Sequence, residues 1–455
     1  MQKTQFESWI SEKISGLRGQ LLTPEGIRRY QLQKLRTVVD YVLEKSPFYR
    51  ERLSGLPSDS LSDPEDLSSF PFTTIQDLHK YWTRFLCVSQ TQVERVVTIR
   101  HPQARDQFRR FFFSGADLEL TVDFFYHGMM AIAKPGQRVL ILLTGDKPGS
   151  AGDLLTKALR RAGVHGIVDG IVMYPEVTIR EIVQQKIDCL VGIPTQVLAL
   201  ARREDVGKIP AGQIKSILLA GDYASAAVVN ELKRVWGAKV FTAYTPTAMG
   251  YAGGVECEAF SGYHLCEADH YYEIVDPISG MTKAPGESGE IVVTTLTRTA
   301  MPLIRYRTGD MSRFLPGPCR CGTELRRMDR VRGRAPDMVR LLSGDWLGIE
   351  DIDDVLFPLG GIVNYYATLT RYHKLDRLEV VICSGANGAW PSSRRVFNAL
   401  QGVRAVDNAV EKGCLILEPI KYTDENRVTT CAVKRCIVLR SEKECEDVPS
   451  HKRRL

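Results

Sequence analysis

Residues 138–145 read RVLILLTG, an apolar run of strand length that stops on a hydroxyl and a glycine. The pattern returns as GIVDGIV (166–172), CLVGIP (189–194), SILLAGD (216–222) and KVFTAYT (239–245). Amphipathic segments lie between these runs, the first through Leu154 to Ala162. Short apolar strands alternating with helices predict an α/β fold around a parallel-rich sheet with flanking helices. In such sheets ligands bind beyond the carboxyl ends of the strands. That edge is where Ile193-Pro194-Thr195, Gly221-Asp222-Tyr223 and Tyr244 to Gly250 fall.

Upstream, the chain reads as helices and turns to about residue 80, with one helix across LQKLRTVVDYVLEKSPFYRERL (32–53) and a loop from Ser58 to Pro71. Downstream, residues 338–455 read as a separate small α+β domain with strands LEVVIC and CLILEP, a helix SSRRVFNAL, and a basic tail HKRRL expected to be disordered. The expected division is therefore 1–337 and 338–455, which suits a chain of 455 residues. Hydrophobic content of 44% and charged content of 25% are those of a soluble globular protein. No apolar run reaches membrane-spanning length and no signal-peptide core opens the chain. A net charge of +6, spread out, suits an anionic small ligand or carrier protein and does not indicate nucleic acid. Eleven cysteines without secretory context favour reduced thiols or a metal site, and a cytoplasmic location is expected.

The stretch following the last of these strands carries the chemistry. It reads AYTPTAMGYAGGVEC (243–257), then GYHLCEADHYYEIVDP (262–277), then GESGEIVVTTLTRTAMPLIRYRTGD (286–310). Gly250, Gly253 and Gly254 form a glycine-rich turn where backbone can approach a ligand closely. Arg305 to Asp310 presents two cations, a hydroxyl and a carboxylate within one short segment. Taken together these motifs resemble the adenylate-forming superfamily of acyl- and aryl-CoA ligases, and most closely its phenylacetate–CoA ligase branch, from about Leu35 to the end of the chain. The resemblance implies that Asp310 binds ribose hydroxyls, that Tyr244 and the glycine turn shape a nucleotide or acyl pocket, and that Gly333-Arg334 lies at the hinge to a mobile C-terminal lid.

Cys257, His264, Cys266, Cys319 and Cys321 fall in two groups, the second on a Pro/Gly-rich knuckle. Soft, reduced donors make structural Zn²⁺ the natural occupant. The family resemblance implies Cys257, His264, Cys319 and Cys321 as its ligands, with Cys266 a further thiol.

The family's ATP-handling elements are altered. Its phosphate loop is built of Ser, Thr and Gly so that backbone N–H groups can surround phosphate. Here the register fixed by FFFSGADLELTVDFFYHGM (111–129) places HPQARDQFRR (101–110) in that position, without a glycine, serine or threonine. The family's Thr-Glu pair after the strand-end tyrosine is Thr247-Ala248, so a hard oxygen ligand for Mg²⁺ is missing. In the C-terminal lid Lys434 is at hand, but the family's lysine aligns with Cys431 or Ala432.

ATP and Mg²⁺ are therefore not expected. The predicted activity is an ATP-independent transfer of an acyl, expectedly aryl, group from CoA to the phosphopantetheine thiol of an acyl carrier protein. The alternatives are an AMP-forming ligase and a non-catalytic carrier-binding protein. His127, Thr247 or Arg305 could assist catalysis, and the sequence does not choose among them. Arg105, Arg109 and Arg110 could hold CoA phosphates or form a solvated face, and Phe124, Phe125 and Tyr126 could wall an acyl pocket or pack in the core.

Overall fold

The computed structural model describes residues 4–17, 19–100, 108–384, 390–423 and 435–441. The stretch 101–107, which includes Arg105, the lid positions Cys431, Ala432 and Lys434, and the tail 451–455 lie outside the described residues.

The chain opens with helices α1 (Gln5–Ser15), α2 (Pro24–Lys45), α3 (Pro47–Arg52) and α4 (Ile75–Lys80). The single helix expected over 32–53 is two. Pro47 cannot continue α2, and Ser46 instead accepts a hydrogen bond from Tyr49 N as the cap of α3, with Pro47 in its first turn. Residues 58–71 are not plain loop, since Ser58–Ser60 and Pro64–Ser69 make short 3₁₀ turns. A hairpin follows, β1 (Val93–Arg100) and β2 (Phe108–Ser114), and leads into α5 (Gly115–Met129). Ser114 and Asp117 form a reciprocal capping box there, and Asp117 also accepts hydrogen bonds from Thr299 N and Ala300 N.

The α/β region holds β3 (Arg138–Leu142), α6 (Ala151–Arg161), β4 (His165–Val168), α7 (Pro175–Gln184), β5 (Cys189–Gly192), α8 (Pro194–Ala201), β6 (Ser216–Leu219), α9 (Ala226–Trp236) and β7 (Lys239–Tyr244). β8 (Gly254–Glu256) and β9 (Tyr263–Leu265) continue from it. Next come β10 (His270–Val275), β11 (Gly289–Thr295), β12 (Tyr306–Ser312) and β13 (Arg327–Met328). One eight-stranded sheet runs β13-β9-β8-β7-β6-β5-β3-β4, parallel from β4 through β7 and antiparallel beyond. Strands β5 and β6 are buried at every residue, as central parallel strands require. The strand predicted through 172 stops at Val168, where Asp169 and the left-handed Gly170 turn the chain away. A separate antiparallel sheet, β10-β11-β12, carries the motif of residues 305–310.

The remainder comprises β14 (Val339–Arg340), β15 (Trp346–Leu347), α10 (Ile349–Leu356), β16 (Ile362–Arg371), β17 (Asp376–Ser384), α11 (Ser393–Gln401), α12 (Arg404–Glu411), β18 (Leu415–Leu417), β19 (Lys421–Thr423) and β20 (Val438–Ser441). Its mixed sheet runs β18-β17-β16-β20, with β19 beside β17. This is the small α+β region expected at the C-terminus, with β16, α10 and α12 among the elements beyond the two strands and one helix expected there. Its core is not private: Val380 and Ile437 join one apolar cluster with Leu140, Val197 and Leu232. Among the described residues no helix is long and apolar enough to cross a membrane.

Candidate functional site

A crevice of about 140 Å³ opens at the carboxyl ends of β6 and β7. Gly221, Asp222 and Tyr223 enter it from the turn after β6, and Tyr244 to Thr247 from the end of β7. Gly333 and Arg334, then Glu350 of α10, close a second side, and Arg435 a third.

Arg334 holds three partners at once. Its guanidinium pairs with Asp310 at 3.1 Å and with Asp337 at 3.1 Å, and donates to the Thr308 carbonyl at 3.0 Å. The Tyr244 hydroxyl donates to the other Asp310 oxygen at 2.7 Å. Burial, followed by the Asp310 charge, raises the Tyr244 phenol well above its ordinary range, so it remains a donor. Asp310 is buried behind Tyr244 and Arg334 rather than on the crevice wall. Arg435 is equally committed, to Asp222 at 3.2 Å and Asp353 at 2.9 Å. Glu350 differs from the other lining carboxylates. Burial, with Asp351, Asp353 and Asp222 nearby, pushes its carboxyl up to about 8.

Beside the crevice, sharing Leu143, Ala220 and Tyr251 with it, lies an apolar cavity of about 50 Å³. Phe124, Phe125 and Met129 of α5, Val191 and Leu218 line it. Two of the three expected aromatics are thus at a cavity wall, while Tyr126 packs edge-on against His127. Ile193, Pro194 and Thr195 are buried at the start of α8 and line neither space.

Several expectations are corrected by this geometry. The glycine turn approaches protein, not an open ligand site. A Cβ at Gly250, where φ is +60°, would lie 1.8 Å from the Arg298 guanidinium, and one at Gly253 2.4 Å from the Tyr244 carbonyl oxygen. At Gly254 the obstacle is the His264 carbonyl oxygen, 2.9 Å away. His127 stacks on Trp9 of α1 with ring centres 4.8 Å apart, away from the crevice, and burial pushes its imidazole down to about 4. Arg305 is buried against Glu273 at 2.8 Å, donates to the Ser68 and Phe70 carbonyls, and covers the Phe72 ring. Neither side chain reaches the crevice, whereas Thr247 does. Arg109 donates to the Tyr306 hydroxyl at 3.3 Å, and Arg110 lies 4.3 Å over the Trp82 ring and 4.7 Å over that of Phe108.

A second centre lies at the sheet edge. The donor atoms of Cys257, His264, Cys319 and Cys321 all lie within 4.8 Å of one another. Cys257 Sγ is 3.8 Å from Cys319 Sγ, and Cys321 Sγ is 3.6 Å from His264 Nε2. Burial pushes the Cys257 thiol up to about 12 and the His264 imidazole down to about 4. Thiols packed this closely cannot ionise together without a cation among them, and the imidazole is held neutral as a metal needs it. Cys266 stands apart and donates to Asp269 at 3.4 Å.

No protein-family model matches the chain. A phenylacetate-coenzyme A ligase of Aromatoleum evansii is 30% identical over 335 residues, covering 69% of this chain and 71% of that protein. One of Pseudomonas putida is 27% identical over 373 residues, covering 78% and 81%. Among solved structures, a 2-hydroxyisobutyryl-CoA ligase in the postadenylation state superposes with a TM-score of 0.78 at 18% identity, covering 97% of this chain and 94% of that one. An anthranilate CoA ligase bound to anthranoyl-AMP gives 0.54 at 14% identity, covering 77% and 67%. The fold, with its crevice at the carboxyl edge of the sheet, is that of the adenylate-forming CoA ligases. Within that superfamily the chain belongs to the phenylacetate-CoA ligase family.

Proposed function

We propose that this protein moves an acyl group, aryl by preference, from CoA to the phosphopantetheine thiol of an acyl carrier protein without consuming ATP. One observation carries the reading: the cations lining the crevice, among the described residues, are already neutralised. Arg334 is bracketed by Asp310 and Asp337, and Arg435 by Asp222 and Asp353. A Mg-triphosphate entering there would find Asp222 and Asp337 already paired, and Ala248 puts no carboxylate beside Thr247 to hold the metal. Asp310, placed behind Tyr244, is likewise spoken for.

Thioester exchange needs none of this. The incoming sulfur bonds to the acyl carbon, the bond to the CoA sulfur breaks, and one thiol proton is exchanged for another. The free-energy change is near zero, so catalysis reduces to holding carbonyl and thiol together and polarising the carbonyl. In this reading Thr247 supplies the hydroxyl donor in the crevice and the cavity beside Phe124, Phe125 and Met129 takes the acyl group. Residues 338–455 serve as a lid hinged near Gly333-Arg334, and structural Zn²⁺ sits among Cys257, His264, Cys319 and Cys321. Arg105 and Arg109 steady the CoA phosphates.

The test is incubation of phenylacetyl-CoA or benzoyl-CoA with a phosphopantetheinylated carrier and no nucleotide, followed by intact mass. Acyl-carrier and free CoA are expected. A second reading, an AMP-forming aryl-CoA ligase, draws on the activity named for the relatives. It wins if product forms only with free acid and ATP, accompanied by ATP–pyrophosphate exchange. Carrier binding with no transfer under either condition would leave a non-catalytic role.

A further inference from the structure

Three carboxylates line the crevice, and two of them are ion-paired, Asp222 with Arg435 and Asp337 with Arg334. Glu350 has no cationic partner among the described residues, although only 7% of it is exposed. The backbone is shaped around its carboxyl group. A Cβ on Gly333 would lie 2.0 Å from Oε1, and one on Gly348 2.1 Å from Oε2. Gly333 moreover has φ of +100°, which side chains rarely adopt. Two glycines thus leave room for one carboxyl group at the crevice wall, where the turn carrying Tyr223 and the Tyr244–Thr247 segment also face.

We infer that Glu350 is the proton-transferring residue of this crevice, a catalytic role that rests on reading the crevice as the place where a thiol meets an acyl group. As the incoming sulfur bonds to the carbonyl carbon, its S–H proton passes to the Glu350 carboxylate. As the bond from that carbon to the departing CoA sulfur breaks, with the electron pair leaving on sulfur, Glu350 gives the proton to it. The residue ends as it began. An unpaired, desolvated carboxyl whose affinity for a proton approaches that of a thiol suits such a shuttle, because the best acid–base catalyst titrates near the working pH. The charges around it are mutually satisfied or repel its ionisation. Asp351 and Asp353 stand on its own helix, Asp222 after β6 and Asp337 after Arg334, while Arg334 and Arg435 are committed as described. The first half of this step would also serve a ligase. There Glu350 takes the S–H proton as the CoA thiol attacks an acyl-adenylate, AMP leaves with the electron pair on its phosphate oxygen, and Glu350 returns its proton to solvent. The inference therefore does not depend on whether ATP is used.

The test compares wild type, E350Q and E350D between pH 6 and 10 in two assays. One pairs phenylacetyl-CoA with pantetheine without nucleotide; the other supplies phenylacetate, ATP and CoA. In whichever assay wild type turns over, E350Q should lower kcat/KM by about 100-fold at pH 7. It should also abolish the inflection near pH 8, and the deficit should shrink toward pH 10 as free thiolate accumulates. E350D should recover part of the rate. A wild-type pH profile in E350Q overturns the inference, and activity confined to the ATP assay overturns only the nucleotide-free reading. If wild type is silent in both assays, calorimetry of CoA binding in buffers of different ionisation enthalpy decides. E350Q must change the number of protons exchanged, and an unchanged number overturns the assignment.

Discussion

Asp222 and Arg435 meet at 3.2 Å across the crevice, one on the turn after β6 and the other just before the last described strand. Arg435 simultaneously reaches Asp353 of α10, which also accepts the Tyr365 hydroxyl, and its guanidinium lies 5.4 Å over Phe357 and 5.5 Å over Tyr365. The pair fastens the C-terminal sheet to the parallel sheet at the crevice mouth. Tyr223 to Asp354 at 3.0 Å and Arg332 to Asp354 at 2.6 Å repeat the connection nearby.

Arg435→Ala should therefore be strongly destabilising. It strands Asp353, which is fully buried, and removal of one member of a buried pair costs about 3–5 kcal/mol. Asp222→Asn should cost much less, since Arg435 keeps Asp353. Denaturant midpoints of the two variants give the comparison, and equal losses would mean that Asp353 is not the principal partner.

Metal analysis of protein purified without added zinc should find about one zinc per chain. Stripping it with a chelator should lower Tm, because binding free energy at a structural site is folding free energy. Cys319→Ser should do the same, whereas Cys266→Ser should leave the metal content unchanged, since that thiol lies outside the cluster. Zinc-free protein with an undiminished Tm would remove the site.

Acid should weaken the fold through His270. Complete burial pushes its imidazole down to about 3, with the Asp269 charge opposing and Arg298 and Lys13 reinforcing the shift. The unfolded chain, titrating near 6.5, then binds the proton the folded chain refuses. Stability is unaffected above about pH 7 and falls as pH drops from 6.5 toward 3. His270→Gln should flatten that part of the Tm–pH curve. A slope identical to wild type would mean that His270 becomes protonated within the folded protein.

Arg109 and Arg110 should separate cleanly. Arg109→Ala should raise KM for a CoA thioester while leaving kcat less affected, the pattern of lost ground-state binding. Arg110 is stacked between Trp82 and Phe108, so Arg110→Ala should lower stability by about 1 kcal/mol and leave KM alone. The same KM change in both would make the hairpin a diffuse cationic surface.

The parallel sheet was legible because its central strands are buried on both faces and so read as unbroken apolar runs, as at Cys189 to Gly192. Strand β16 was not, since IVNYYATLTR mixes burial on one half with alternation on the other and carries the buried Asn364. Tyr244 and Thr247 followed from their place after a strand. Glu350 and Arg435 had no such signal. IEDIDD reads as the acidic face of a helix, and the partners that define Arg435, Asp222 and Asp353, are distant in sequence. Arg305 misled for the complementary reason: its motif ends at Asp310, which touches the crevice residues Tyr244 and Arg334, while Glu273 waits on another strand to bury Arg305 itself.

The apolar cluster that joins Leu140 and Leu142 of β3 to Val380 and Ile437 has a consequence for how the chain is made. On the ribosome, the parallel sheet and helices α8 and α9 emerge while β16, which packs against α8, is still untranslated. Until Ile437 appears, that face is exposed and adhesive, so the nascent protein must either wait unfolded or be shielded by a chaperone. A chain shortened after residue 337 would therefore be a sticky intermediate rather than an open enzyme.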